Sequence, residues 1–247
     1  MDTVDELAHL CADAWPAQVD RSLGQWRMRA ADGFTGRANS ALTTGNPGIS
    51  VPDALRSVAE FADRHGIRPT ATVVVGSGNE AAIGAAGWTV DLDHPGGAES
   101  AVLTAPLRDF AGPKSDDVSV PAVAASGWWE LVAGASPSAA QRHVLGSGQD
   151  VGFGAVTRNG EVVGAARGAV VGDLMHVAGL VVRPNHRRGG VARDLLAALA
   201  SWGIDLGATY CALQVATHNT PAMRLYDALG FVEHHRYRYW VPAANQA

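Results

Sequence analysis

The sequence predicts a mixed α/β fold of the α+β kind, built from two similar halves, each a mixed, mostly antiparallel sheet flanked by helices. Three observations carry this. The second half reads as strand, strand, strand, helix, strand, helix, strand, an order that needs a mixed sheet with helices laid on it. Two β-rich runs in it meet at Asn159-Gly160, a strong short signal for a hairpin turn. And the order of segments in the second half recurs in the first.

The elements follow in order. In the first half, EFADRHGIRPTATVVV leaves a helix through Gly66 and enters a strand over Ala71 to Val75. GSGNEAAIGAAGW then gives a loop, a helix and a Gly-Trp exit. In the second half, GWWELVAG and SPSAAQRHVLG read as short helices, the latter opening near Ser136-Pro137. DVGFGAVTRNGEVVGAARGAVV is the hairpin, and LMHVAGLVV, Leu174 to Val182, is a strand apolar enough to be central. Val191, Leu195, Leu196, Leu199 and Trp202 recur on one face of a helix. SWGIDLGATYCALQV then passes through Gly207 into a strand over Tyr210 to Val215. ATHNTPAMRLYDALGF gives a loop, a helix and a Gly-Phe exit, and RYRYWV closes the chain as an aromatic strand. The halves match in spacing. Asn79 and Asn219 lie 140 apart, as do Leu55 and Leu195, and Gly87-Trp88 precedes Gly230-Phe231 by 143. The polar, proline-bearing stretch APLRDFAGPKSDD is the natural join. The expected division is 1–110, a linker over 111–120, and 121–247.

Bulk composition narrows the function. With 47% hydrophobic and 17% charged residues, the 247-residue chain can bury a large core. No run of eighteen apolar residues predicts a membrane span, and the acidic, amphipathic start is no secretory signal. A cytoplasmic location is expected. Residues 1–120 hold nine Lys/Arg and sixteen Asp/Glu; residues 121–247 hold ten and eight. The acidic front half argues against nucleic acid as a ligand. Cys11 and Cys211 match no metal spacing and read as free thiols, and no metal site is expected. One lysine against eighteen arginines reads as codon bias.

The informative stretch is HRRGGVARDLL. Arg183-Pro184 ends the central strand, and the chain turns through NHRRGGVA straight into a helix. The first amides of a helix have no partners within it, and they carry the positive end of its dipole. Gly189 and Gly190 let a ligand approach the backbone, while Arg187 and Arg188 add charge. The result is a strand–loop–helix phosphate cradle. It lacks both the Gly-x-x-x-x-Gly-Lys-Ser/Thr loop and the Gly-x-Gly-x-x-Gly fingerprint.

What stands there, Arg187-x-x-Gly190-x-Ala192, resembles the acyl-CoA signature of the GNAT acetyltransferases, Arg/Gln-x-x-Gly-x-Gly/Ala. Asn219, Ala222, Leu225, Tyr226, Gly230 and Phe231 resemble the family's second motif. The resemblance covers about residues 121–242, and the whole chain resembles the tandem GNAT proteins common in actinobacteria. It implies two GNAT-like halves with splayed sheets and one acetyl-CoA site per chain, in the second half. NSALTTGNPGISVPDAL stands where the first half would carry its cradle. The implied CoA contacts are the backbone of Leu180, Val181 and Val182, with a β-bulge permitted by Gly179, then Arg187, Arg188, Gly189, Gly190, Val191 and Ala192, and finally Asn219, Ala222 and Tyr226.

Acetyl transfer to an amine needs a proton taken from nitrogen and one given to the leaving thiolate. By the resemblance Tyr226 is the acid. His176 stands eleven residues before Arg187, where many relatives carry a glutamate base, and imidazole can take a proton at neutral pH. Asp173 and Glu130 are further candidates for the base, and many relatives need none. A lone histidine on an apolar strand also reads as a core residue. Trp128 and Trp129 are candidates for a pocket wall. His234 and His235, adjacent on a strand, should face opposite ways. Neither cysteine has a nucleophile's setting, which favours direct transfer. The expected activity is therefore direct acetyl transfer from acetyl-CoA to a primary amine of a small molecule or protein. The alternatives are a non-catalytic acyl-CoA sensor and an amino-thiol glycoside acetyltransferase resembling mycothiol synthase. The chain is expected to be a monomer or a homodimer, the latter through an exposed edge at RYRYWV.

Overall fold

The computed structural model describes residues 2–112 and 116–243. In chain order the elements are α1 (Val4–Ala14), β1 (Val19–Leu23), β2 (Trp26–Ala30), β3 (Ala41–Leu42), α2 (Val51–Arg64), β4 (Ala71–Val74), α3 (Gly78–Ala85), β5 (Trp88–Val90), β6 (Glu99–Pro106), β7 (Val118–Ser119), α4 (Ser126–Ala133), α5 (Ala139–Gly146), β8 (Asp150–Arg158), β9 (Glu161–Val171), β10 (Leu174–Val182), α6 (Val191–Asp205), β11 (Tyr210–Ala216), α7 (Thr220–Asp227) and β12 (Val232–Pro242). They form two compact units. The described residues of the first are 2–102, 215–220 and 233–243; those of the second are 103–112, 116–214 and 221–232.

In the first unit β1, β2 and β3 pair in turn antiparallel, and β3 runs parallel to β4. β4 then pairs antiparallel with β12 (Tyr237↔Val74 to Trp240↔Ala71), and β5 also pairs with β12. The core gathers Trp26, Leu55, Val58, Phe61, Val73, Ile83 and Trp88 under α2 and α3. In the second unit the hydrogen-bonded order is β6-β11-β10-β9-β8-β7. Here β7, β8, β9 and β10 pair antiparallel, and β10 runs parallel to β11. The duplicated order is thus visible as two parallel pairs, β3 with β4 and β10 with β11, each followed by a helix.

The expected division at 111–120 does not describe these units. The last strand of the chain, β12, completes the first unit's sheet, while the end of β6, from the first half of the sequence, lies beside β11 in the second. The second half gives its final strand to the first unit, and the first half gives the end of its own to the second. Alternation of residue types shows where strands are but not which edge they join, so the exchange leaves no local signature. Within the expected linker, residues 113–115 lie outside the described residues, and Val118 and Ser119 pair with Val156 and Ala155. Arg236 to Val241 is not an exposed edge, because β4 and β5 cover that strand. The dimer contact expected there has no free strand to form on.

The second unit's sheet has two unlike faces. On one, Gly152, Gly154, Gly164 and Gly168 alternate along β8 and β9, and α6 presses into the space they leave. A Cβ on Gly164 would lie 2.4 Å from Val191 Cγ1, and one on Gly168 would lie 2.9 Å from Leu199 Cδ2 and 3.1 Å from Trp202. The amphipathic face of α6 read from sequence is this contact, with Val191, Leu195, Leu196 and Leu199 at most 1% exposed. On the other face, register aligns Phe153 with Arg167 and Arg167 with Ala178, and α4 and α5 cover the row. Trp128, fully buried, donates Nε1–H to the carbonyls of Gly154 (3.1 Å) and Ala166 (3.3 Å), which pins α4 to the sheet. Arg167, also fully buried, donates to the carbonyls of Leu145 (2.8 Å) and Ser147 (2.8 Å) at the end of α5. The start of α5 is a capping box on Ser138 and Gln141, two residues beyond the expected Ser136-Pro137. Asn159 (φ 51°) and Gly160 (φ 78°) make the turn of the β8–β9 hairpin, as read from sequence.

The glycine-lined face gives a direct test. Gly164→Ala should destabilise the protein by about 1–3 kcal/mol through overpacking against the stiff Val191 side chain. Adding Val191→Ala should recover more than half of that loss in urea melts. Independent, additive losses would refute the contact as the cause.

Candidate active site

The site begins where β10 leaves β11. Their ladder pairs Leu174–Val177 with Tyr210–Leu213 and goes no further, although β10 runs on to Val182. The cause is in the register with β9. Ala178 faces Arg167 and Val181 faces Ala165, so three steps of β10 meet two of β9. The extra residue is a β-bulge at Gly179, which is exposed at φ 64°, as the sequence permitted. Val182 and Leu180 pack with Val191 and Leu195, which fixes the outgoing end of the strand on α6.

The chain then makes a short 3-10 turn over Pro184–His186 and reaches the cradle. Arg187 donates Nε–H back to the Val182 carbonyl (3.1 Å). Arg188 adopts φ 60° and Gly190 φ 83°. A left-handed arginine costs about 1 kcal/mol or more relative to glycine, and strain of this kind collects where backbone must be aimed. Gly190 caps α6 with no side-chain hydrogen bond. Among the described residues, no protein group accepts from the amides of Arg188, Gly189, Gly190, Val191 or Ala192. Gly189 and Gly190 are exposed, and an added Cβ would meet only ordinary contacts, the His186 carbonyl oxygen at 3.6 Å and an Asp194 carboxylate oxygen at 3.8 Å. These are the features an anion needs.

The corresponding place in the first unit is built differently. The helix after β3, α2, is capped by Ser50, whose hydroxyl accepts from the Asp53 amide (3.3 Å) and donates to the Asp53 carboxylate (2.6 Å). Asp53 therefore occupies the turn an anion would enter. The same unit holds a cleft of about 420 Å³ lined in part by Thr43, Thr44, Gly45, Gly76, Ser77 and Asn79. Asn79 donates Nδ2–H to the carbonyls of Thr43 (2.7 Å) and Gly45 (2.9 Å) across the end of β3.

His176 lies on the α4-covered face of β10, opposite Ala169, and is fully buried. Its Nε2 faces Oε1 of Gln214 on β11 at 3.2 Å. A place in the core is one of the two readings the sequence left open for it, and the sequence gave no sign of Gln214. Asp173 is exposed in the β9–β10 turn, and Glu130 is exposed on α4. Tyr226, 7% exposed on α7, packs against Phe231 (ring centroids 5.5 Å), which packs against Phe110 (5.1 Å). Ala222 is half-buried one turn earlier on α7. Asn219 is exposed before that helix, its amide donating to the Ala216 carbonyl (2.9 Å). Cys11 and Cys211 are buried free thiols, and burial pushes Cys11 up to about 12. No helix among the described residues is long and apolar enough to cross a membrane.

The model for the C-terminal region of the probable histone acetyltransferase Rv0428c matches residues 3–240. The chain belongs to that family. Its fold is that of the GNAT N-acetyltransferases. A solved GCN5-related N-acetyltransferase from Kribbella flavida aligns over 100% of this chain and 98% of its own, with 17% identity and a TM-score of 0.72. A tandem GNAT protein from the clavulanic acid biosynthesis pathway aligns over 96% and 86%, with 18% identity and a TM-score of 0.63. These two likenesses concern the fold. Among curated sequences, the aminoglycoside N(6')-acetyltransferase type 1 of Salmonella typhimurium is 35% identical over 63 residues, which is 26% of this chain and 43% of that protein. The match therefore spans less than half of that relative's length.

The histidine pair departs from its expected arrangement. Instead of facing apart, His234 and His235 bring their Nδ1 atoms to 2.9 Å, and His234 Nε2 lies 3.2 Å from the Asp2 carbonyl. The carbonyl can only accept, so His234 donates from Nε2 and accepts at Nδ1 from His235. This hydrogen bond overrides the alternation of the strand. Burial first, and then the neighbouring His234, lower His235 to about 4, with Glu233 opposing. The unfolded chain binds this proton near the ordinary value of 6.5, so stability is full above that pH and falls between about 6.5 and 4. Urea melts across that range should lose on the order of 2 kcal/mol through this group, and His235→Gln should flatten that part of the profile.

The strained cradle makes a separate prediction. Arg188→Gly should stabilise the folded protein by about 0.5–1 kcal/mol, read from thermal melts, once glycine's greater unfolded-state entropy is set against the relieved strain. A loss of stability would show that the left-handed arginine is not strained.

Proposed function

We propose that this chain is an acetyl-CoA-dependent N-acetyltransferase that moves the acetyl group directly onto a primary amine. The observation that carries this reading is the uncapped start of α6, its unclaimed amides placed directly after a bulged strand that has parted from its parallel neighbour. The residues present fit acetyl-CoA. The amides of Arg188, Gly189, Gly190, Val191 and Ala192 would receive the pyrophosphate, with Arg187 and Arg188 adding charge. The freed backbone of Leu180, Val181 and Val182 would pair with the amide-bearing arm, and Ala222 would line its far side. The bound cosubstrate supplies an acetyl thioester. In the transfer a nitrogen–carbon bond forms and the carbon–sulfur bond breaks; the nitrogen loses one proton and the sulfur gains one.

Tyr226 is proposed to deliver that proton to sulfur. His176 is sealed from solvent, so its proposed part in taking the amine's proton requires a water or a shift of Gln214. The amine otherwise arrives already neutral, drawn from its free-base fraction. One site per chain, in the second unit, is supported by the Ser50 and Asp53 cap that closes the corresponding turn in the first. Cytoplasmic location and an actinobacterial source belong to the same reading.

Calorimetric titration with acetyl-CoA tests it. One-to-one binding is expected, lost in Gly190→Glu, which sets a negative side chain at a left-handed position in the cradle. Tyr226→Phe should keep the affinity and lower kcat for thiol release by about 10-fold or more. Two sites per chain would overturn the closed first unit, and no binding would overturn the enzyme.

A further inference from the structure

The wall beside the bulge carries information about the acceptor. An added Cβ on Gly179 would lie 3.5 Å from Cγ1 of Val132, so the end of α4 overhangs the bulge. Trp129 lies three residues before Val132, on the same side of α4. It is half-buried, set edge-on against Trp128 (5.3 Å between centroids) and tilted against Phe153 (6.2 Å). Both neighbours are core residues, at 0% and 4% exposure, so this ring cannot easily swing away. Over it stands Arg142 of α5, its guanidinium carbon 5.5 Å from the ring centroid. Arg142 is exposed, and among the described residues no carboxylate lies within ion-pair distance of it.

An arginine resting on a fixed indole has lost much of its freedom before any ligand arrives, and its fork matches a carboxylate. The charge inventory of this wall agrees. From residue 121 to 149, covering α4 and α5, the only charged side chains are Glu130 and Arg142, with His143 beside them. Glu130 follows Trp129 directly and so points to a different side of the helix. A polycation, such as an aminoglycoside with several ammonium groups, needs several carboxylates to offset its charge and finds one here.

The geometry points to an acceptor that carries a carboxylate as well as its amine: an amino acid or a short peptide. Arg142, held over the Trp129 ring, takes the carboxylate, and the amine reaches the bulge. This rests on the acetyl transfer proposed above and names its substrate class. The bond changes and proton balance are those already given.

The test uses the full chain with acetyl-CoA and measures thiol release with phenylalanine, phenylalanine amide and kanamycin. Phenylalanine should show a KM about 10-fold below that of its amide, the scale of one charge-assisted pair. Arg142→Gln should erase that ratio, and Arg142→Glu should invert it. An absent preference in the native chain, a ratio that survives both variants, or kanamycin as the substrate with the highest kcat/KM would each overturn the proposal. If acetyl-CoA binds but no amine is acetylated, the catalytic reading has failed, and calorimetry still decides the ligand class. Tighter binding of N-acetylphenylalanine than of its amide, lost in Arg142→Gln, sustains the proposal; equal or undetectable affinity for the two ends it.

Discussion

The parting of β10 from β11 is the constraint on which the second unit depends. Parallel strands normally stay paired to their ends, because each unpaired amide and carbonyl left out of water costs about as much as a lost hydrogen bond. Here pairing stops at Val177 and Leu213, and one extra residue at Gly179 turns the strand away. Everything downstream follows from that turn. Leu180 and Val182 are held by α6, α6 is seated on glycines, and its uncapped end faces outward at the same mouth. A sheet without the bulge would leave these amides facing a ladder partner. A sheet without Gly164 and Gly168 would lift α6 and move its first turn.

Much of this was legible in the sequence, for identifiable reasons. Leu174–Val182 was read residue for residue, because a continuous apolar run bounded by Gly-Asp and Arg-Pro has few alternatives. The turn at Asn159-Gly160, the bulge permitted by Gly179 and Gly190 of the cradle were legible because positive φ selects residue types locally. The exchange of β6 and β12 was not legible, since strand partners are chosen by tertiary packing. The partner of His176 was hidden too: a strand's pattern can mark a histidine as core but does not name the side chain across the ladder. The histidine pair was misread because a specific hydrogen bond prevailed over alternation. Arg167 gave no advance sign of its work, since an arginine on a strand looks solvent-bound until the end of a helix arrives above it.

The two halves show how little separates a binding turn from a closed one. Both follow a parallel strand with a loop and a helix, and both loops use glycine at positive φ, Gly45 and Gly48 in one and Gly190 in the other. In one, a serine hydroxyl and an aspartate satisfy the helix start from within; in the other, a glycine leaves it bare. Asn79 likewise fastens carbonyls across the end of β3.

The bare turn carries a thermodynamic consequence. A glycine cap satisfies none of the orphan amides that a serine cap would, so α6 begins slightly less stable than its twin. That deficit is local, and it sits at the end of a helix whose remaining turns are locked into the glycine-lined sheet. The first turn of α6 should therefore fray on a faster timescale than the rest, with amide exchange rates graded from Val191 toward Leu199. The start of α2, closed by its own side chains, should show a flatter gradient. Local rigidity in this protein is distributed by which helix ends are left for something else to complete.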